Sequence, residues 1–475
     1  MRIWRALAGV VLAAVIAFGA GAGTDTVALL HTNDVHDHIR PNYDGVGGLA
    51  YVAGYVRKVR AERPDTLLVD AGDLMNKGNL MATRSDSVAT FEAMGQVRYD
   101  LVAPGNHDFS RGIEHLQLCA QSGPVPIHCV NVLDEAGRAP FPVSKLVDVD
   151  GVKVGVVGVT TAGCAEGVFD RDATIRALAQ EAERLDIEAH LIVAVCHFGS
   201  KECAAMSPLA PAVDVFVAGH QHEALQEPKV VEETGAFIVG AGDFARYVGR
   251  LDLTIDLDTE AIVCADGWLA LMSHAQVPYD EGMAEWIEIR EQAICPEATT
   301  VLARAREALD AGVAARLAAE GMRAMAGAEI GLIRVRRMLA GLPEGDIDIN
   351  AAFMTLRDAD MPVVVTNLSG AEIGDFIGSV DSVWHRIEWA GFRAKIDYTA
   401  PKGRRVGEND LDPKRYYLVA MSQEDWVGAV MPRLTYCPDR AVAVFAFTPA
   451  DALVACLTNF GDEALSADAV AAAVP

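Results

Sequence analysis

From Val27 to about Ala275, short apolar runs alternate with amphipathic stretches, the pattern of an α/β domain. Val27–Leu30, Thr66–Val69, Leu101–Ala103, Leu191–Val195 and Val213–Ala218 read as largely buried strands, and each runs directly into polar residues. Gly151–Thr160 (GVKVGVVGVT) interleaves valine with glycine and reads as sheet, and Phe237–Val239 and Arg250–Ile255 add further strands. Between them, Leu49–Arg60 places Leu49, Ala53, Val56 and Val59 near helical spacing, and Phe91–Val97 and Ala173–Leu185 also read as helices. The Ala-, Glu-, Arg- and Leu-rich stretch Met283–Ala326 predicts one or more linking helices. Leu332–Val335, Pro362–Thr366 and Tyr417–Ala420 predict the strands of a second, smaller α/β domain. The Ala-rich end beyond Leu465 is expected to be loosely held.

A chain of 475 residues exceeds one compact core. The expected division is a leader over 1–22, a catalytic domain over 24–275, a helical linker over 276–310, a substrate domain over 311–465 and a tail over 466–475. The leader has Arg2 and Arg5, an apolar run from Ala6 to Ala20 and a small-residue cleavage site at Ala20-Gly21-Ala22, which predicts export to the periplasm or medium. The run is too short for a comfortable permanent span, so no stable membrane insertion is expected. The net charge of −26 repels nucleic acid backbone and anionic lipid. No nucleic acid polymer is therefore expected as a partner, and a site for an anionic small molecule must be locally positive. The nine cysteines follow no metal-binding spacing. Cys119 with Cys129, then Cys196 with Cys203, are the leading disulfide candidates, and buried thiols are the alternative. The oligomeric state is left open.

The chemistry concentrates where strands end. Five motifs follow in order: Asp34-Val35-His36, Gly72-Asp73, Gly105-Asn106-His107-Asp108, His197, and Gly219-His220-Gln221-His222. Open α/β folds build their sites at strand ends. Carboxylate, amide and imidazole donors without a thiolate suit divalent manganese, zinc or iron. A shared carboxylate can hold two such ions roughly 3.5–4 Å apart, the arrangement for displacement at phosphorus. Gly72, Gly105 and Gly219 precede candidate ligands, where tight turns exclude a side chain. Five of the twelve histidines fall in these motifs, and His38 stands beside the first.

These motifs resemble those of the calcineurin-like metallophosphoesterases, and among them the exported 5′-nucleotidase group. The resemblance covers about residues 26–255 and implies a four-layer αββα sandwich. It further implies one ion on Asp34, His36, Asp73 and His222, and a second on Asp73, Asn106, His197 and His220, with Asp73 bridging. His107 would stabilise the transferring phosphoryl group or its leaving oxygen, and a metal-activated hydroxide would attack a small-molecule phosphate ester, a nucleotide being typical. The second domain resembles the nucleotidase C-terminal domain more faintly, through Ala328–Leu332 (AEIGL) and Leu368–Ile373 (LSGAEI). It departs at Arg334-Val335-Arg336-Arg337 and at Arg357-Asp358-Ala359-Asp360, which replaces a base-stacking segment and leaves Trp426 as the aromatic available to stack. Ser110 stands where such nucleotidases carry an acid that orients the catalytic imidazole, and Asp108 or another acid is expected to substitute. Two alternatives remain: a thiosulfohydrolase-like or other non-nucleotide hydrolase on the same fold, and a catalytically silent metal- or ligand-binding protein.

Overall fold

A computed structural model describes residues 23–357, 359, 361–379, 386–434, 440–460 and 464–474. The leader at 1–22, Asp358, Asp360 and Cys437 lie outside the described residues. The chain falls into two compact units, Met1–Arg290 and Glu291–Pro475.

The first unit contains two mixed sheets. The strands are β1 (Thr24–Thr32), β2 (Leu67–Asp70), β3 (Leu101–Val102), β4 (Ser144–Val149), β5 (Val152–Val159), β6 (Leu191–Cys196), β7 (Val215–Ala218), β8 (Lys229–Val230), β9 (Phe237–Val239), β10 (Tyr247–Asp256) and β11 (Ala261–Leu271). One sheet has the order β11-β10-β1-β2-β3, with β1, β2 and β3 parallel. The other has the order β4-β5-β6-β7-β9-β8, with β5, β6, β7 and β9 parallel.

Alternation along the strands sorts their side chains between two cores. Leu191, Val193 and Val195 of β6 meet Val27, Leu29, Leu67 and Val69 of the facing sheet. Ile192, Ala194 and Cys196 turn the other way, toward Ile175, Leu178 and Ala182 of the helix Arg171–Leu185. Coverage on both faces explains why these strands read as continuous apolar runs. Helices Leu49–Glu62 and Val88–Val97 bury Val52, Val56, Phe91 and Met94. The fold is the expected α/β sandwich of the four-layer αββα kind.

The second unit has a five-stranded sheet in the order Ile387–Ala390, Ile330–Arg334, Tyr416–Ser422, Val363–Ser369, Val442–Val444. Helix Ala311–Met325 starts at Asp310, whose side chain accepts from the Gly312 and Val313 N–H groups. Helix Gly370–Gly378 starts with a reciprocal Ser369/Glu372 capping box.

Four expectations change here. The stretch Met283–Ala326 is interrupted by a strand, Val301–Ala305, which pairs antiparallel with Gly345–Asp348. The Ala-rich end is not loose: Ser466 caps a helix, Ala467–Ala473, that buries Val470. Trp426 packs into the apolar core with Ile330, Leu332 and Phe376, so it is no stacking platform. Cys119 and Cys129 are free thiols with different neighbours, the His115 ring at 3.4 Å and the Asn131 Oδ1 at 3.3 Å. Cys196 and Cys203 are also free.

Candidate dinuclear metal centre

The five motifs leave the strands through sharp turns. Asp34, His36, Asp73, His220 and His222 all have positive φ, between 48° and 68°, a region that L residues occupy at a cost. Such strain persists where surrounding contacts over-determine it, as at ligand clamps. Two glycines make the packing possible. Gly72 has φ +90°, and a Cβ there would lie 2.5 Å from the Gly105 nitrogen, while one on Gly105 would lie 2.1 Å from the Asp73 carboxylate.

The turns bring the motif side chains into two groups, Asp34/His36/His222 and Asp73/His197/His220. Asp73 Oδ2 lies between them, 3.1 Å from His197 Nε2 and 3.6 Å from His36 Nε2. Asp34 Oδ1 is 3.4 Å from His222 Nε2 and 3.8 Å from His36 Nε2, and those two ring nitrogens are 3.3 Å apart. Each ring is held from its far side. His36 Nδ1 faces the Met75 carbonyl at 2.9 Å, His197 Nδ1 the Ala71 carbonyl at 2.6 Å, and His222 Nδ1 the Asp243 carboxylate at 2.8 Å. With Nδ1 donating outward, each Nε2 lone pair points into the cluster, the arrangement that orients metal-binding histidines.

The carboxylates are half engaged in the same way. Asp34 Oδ2 accepts from the His220 N–H and the Asn33 amide, and Asp73 Oδ1 accepts from the His107 N–H. The opposite oxygens face the cluster. Asp34 Oδ1, Asn106 Oδ1 and His197 Nε2 are buried without a hydrogen-bond partner. Buried polar atoms rarely stay unpaired, and two of these three, Asp34 Oδ1 and His197 Nε2, belong to the two groups. A donor set of oxygen and imidazole nitrogen, with lone pairs facing one another, fits divalent cations.

The electrostatics agree with that fit. Burial keeps the His36 ring well below its ordinary pKa, hence neutral with its lone pair available. Burial lifts Asp34 to about 6 despite the nearby His197 and His222 rings. Burial opposes charge on both Asp73 and His197, yet their mutual attraction wins, holding Asp73 down and raising His197 to about 10, so that without a cation His197 Nε2 carries the proton that a bound ion would displace. Two dehydrated carboxylates side by side are costly, and cations between them offset that cost.

Asn106 and His107 are half-buried, on the turn after β3. The His107 ring meets the His36 ring edge-on at 5.1 Å. Asp108 does not orient His107. Its carboxylate accepts four backbone N–H groups, from Asp73, Leu74, Met75 and Gly105, and so ties the β2 and β3 turns together. His38 stacks on Phe244 at 4.1 Å and bonds Asn42 and the Lys77 carbonyl, supporting the cluster from outside.

Sequence reasoning missed Asn33, Asp37, Asn76, Lys77 and Asp243. Lys77 Nζ lies 3.2 Å from His36 Nε2, and Asp37 accepts from the Asn76 N–H and the Ser87 and Thr90 hydroxyls. Asp37 directly follows the first motif. Asp243 follows the alanine-glycine pair that ends the β9 turn, with no motif to mark it.

Residues 27–224 match the calcineurin-like phosphoesterase family, and residues 294–423 match the 5′-nucleotidase C-terminal domain. A 5′-nucleotidase of Vibrio vulnificus is 29% identical over 270 residues, covering 48% of this chain and 49% of its own. Endonuclease YhcR of Bacillus subtilis is 24% identical over 369 residues, 67% of this chain and 30% of its own. The chain thus spans about half or less of the length of these curated relatives. A solved structure of a 5′-nucleotidase precursor from Thermus thermophilus superposes with TM-score 0.74 at 24% identity, covering 93% of this chain and 98% of that one. Residues 27–224 are thus a calcineurin-like phosphoesterase domain, followed at residues 294–423 by a 5′-nucleotidase C-terminal domain.

Proposed function

We propose that the protein is an exported hydrolase of small-molecule phosphate monoesters, nucleotides among them, that works with two divalent ions of manganese, zinc or iron. Asp34, His36, Asp73 and His222 would hold one ion, and Asp73, Asn106, His197 and His220 the other. The observation that carries this reading is the position of Asp73 Oδ2, within 3.6 Å of the nearest imidazole nitrogen of each group. When bound, such a pair lowers the pKa of a water molecule and neutralises the charge of a phosphoryl group in transfer. The chain's own residues set the geometry: Asp34 and Asp73 keep one oxygen each for the cleft, and the outward Nδ1 bonds fix the rings. His107, beside His36, donates a hydrogen bond to the phosphoryl oxygens or to the leaving oxygen.

The preference for a small ester rests on the net charge of −26, which opposes docking of a polyanion. Export rests on the leader at residues 1–22, and no helix among the described residues is long and apolar enough to cross a membrane.

A substrate panel on the manganese-loaded chain tests the reading. Nucleoside monophosphates, an aryl phosphate, an S-sulfonated thiol and single-stranded DNA are offered in parallel. Release of inorganic phosphate from the first two supports the proposal. Turnover of the S-sulfonate or the DNA alone contradicts it, as does silence toward all four.

A further inference from the structure

We propose that Asn76 is a positioning residue for His107, and that it holds the ring with an uncharged amide; this rests on the hydrolase reading above. The turn after β2 is pinned on every side. Asp108 takes the N–H groups of Asp73, Leu74 and Met75, Asp37 takes that of Asn76 at 2.5 Å, and the Lys77 carbonyl bonds the His38 ring at 3.1 Å. Asn76 and Lys77 are consecutive non-glycine residues with φ of 69° and 77°. Asparagine is one of the few L residues that visit this region at low cost.

The conformation aims the Asn76 side chain at the catalytic turn. Its amide nitrogen lies 3.2 Å from His107 Nδ1 and 3.2 Å from Ser110 Oγ. An NH2 group has two hydrogens and can donate to both. His107 is then fixed twice, by its N–H on Asp73 Oδ1 at 2.8 Å and by its ring on Asn76. Ser110 Oγ accepts the amide's other hydrogen. Asp108, the acid adjacent to His107 in sequence, is committed to backbone N–H groups and offers the ring nothing.

The consequence is chemical. A carboxylate at this position would favour imidazolium, whereas an amide orients the ring without stabilising its positive charge. With the amide nitrogen toward Nδ1, that atom accepts and the single ring proton resides on Nε2. His107 is thereby left to donate through Nε2.

The test uses the full chain loaded with manganese, with an aryl phosphate as substrate. Asn76→Ala is expected to lower kcat about tenfold, part of the roughly 10²–10⁴-fold that a well-placed acid–base group supplies. KM and metal content stay at the parent values, and Asn76→Asp, which exchanges the donating amide for an accepting carboxylate, does not recover the loss. Independently of activity, ¹⁵N-histidine spectra of the metal-free chain should show the His107 ring nitrogens, identified by their loss in His107→Ala, shifting in Asn76→Ala. Unchanged kcat with unmoved ring signals overturns the proposal, as does a loss of kcat matched by an equal loss of metal. A parent silent toward every ester refutes the hydrolase reading instead, and the ring signals then decide the positioning role alone.

Discussion

Both units of this chain gather charged residues where parallel strands end, and the two gatherings are wired differently. In the second unit, strands Ile330–Arg334 and Tyr416–Ser422 run parallel and lead to Arg334, Arg337 and Asp425. The buried Asp425 carboxylate accepts from the Arg334 N–H at 3.0 Å, the Arg334 Nε at 2.5 Å and the Arg337 Nε at 3.1 Å. Its charge is satisfied from within. At the ends of β1, β2, β3, β6 and β7 the accounting is deliberately incomplete: each carboxylate keeps one oxygen engaged and turns the other, with imidazole nitrogens, into a shared cleft. Buried charge that is internally paired serves as framework. Buried charge that converges without partners awaits a ligand.

Four substitutions sharpen or break this contrast, ordered by their expected effect on the metal centre. Asp73→Ala removes the shared oxygen, and hydrolysis of an aryl phosphate should fall by roughly 10³-fold or more, with metal content at or below one ion per chain. Activity near that of the parent would mean that Asp73 does not bridge. His107→Ala should cost roughly 10²-fold in kcat with metal content unchanged, because on the proposed reading its ring would donate to the reacting group while the ligand set stays complete. Asp243→Ala frees the His222 Nδ1, and the apparent affinity for manganese should drop about tenfold while kcat at saturating metal stays close to the parent. Asp425→Ala is the control in the second unit. It leaves two buried guanidinium groups without their shared acceptor and should lower unfolding stability by about 3 kcal/mol, read by chemical denaturation, with no change in metal content.

Much of the first unit was legible because its physics is local. Strands covered on both faces must be apolar throughout, so their ends stand out as abrupt polar residues, and the ligand candidates are those residues. The supporting residues were not legible because they act through tertiary placement. Asn76 reaches His107 across 31 residues, Asp243 reaches His222 across 21, and Asp108 works through backbone N–H groups that no side-chain motif encodes. The reading of Asp108 as a substitute orienter failed for that reason. Sequence proximity to His107 says nothing about where the carboxylate points.

The second unit misled in a different way. Composition made Met283–Ala326 one or more linking helices, and Glu281–Ile294 and Ala311–Met325 are helical, but Val301–Ala305 between them finds a strand partner in Gly345–Asp348, about forty residues away. Trp426 looked available as the aromatic left where the base-stacking segment is replaced, yet it fills the core with Phe376. An aromatic beside charged residues is a surface feature only when no apolar space lies within reach.

The central claim is that the unpartnered cluster holds two divalent ions bridged by Asp73. Its most direct test is metal analysis of the full chain, purified without chelator and equilibrated with manganese, alongside Asp73→Ala. The prediction is about two ions per parent chain and at most one in the variant. Fewer than one ion per parent chain after equilibration, or equal content in parent and variant, would contradict it.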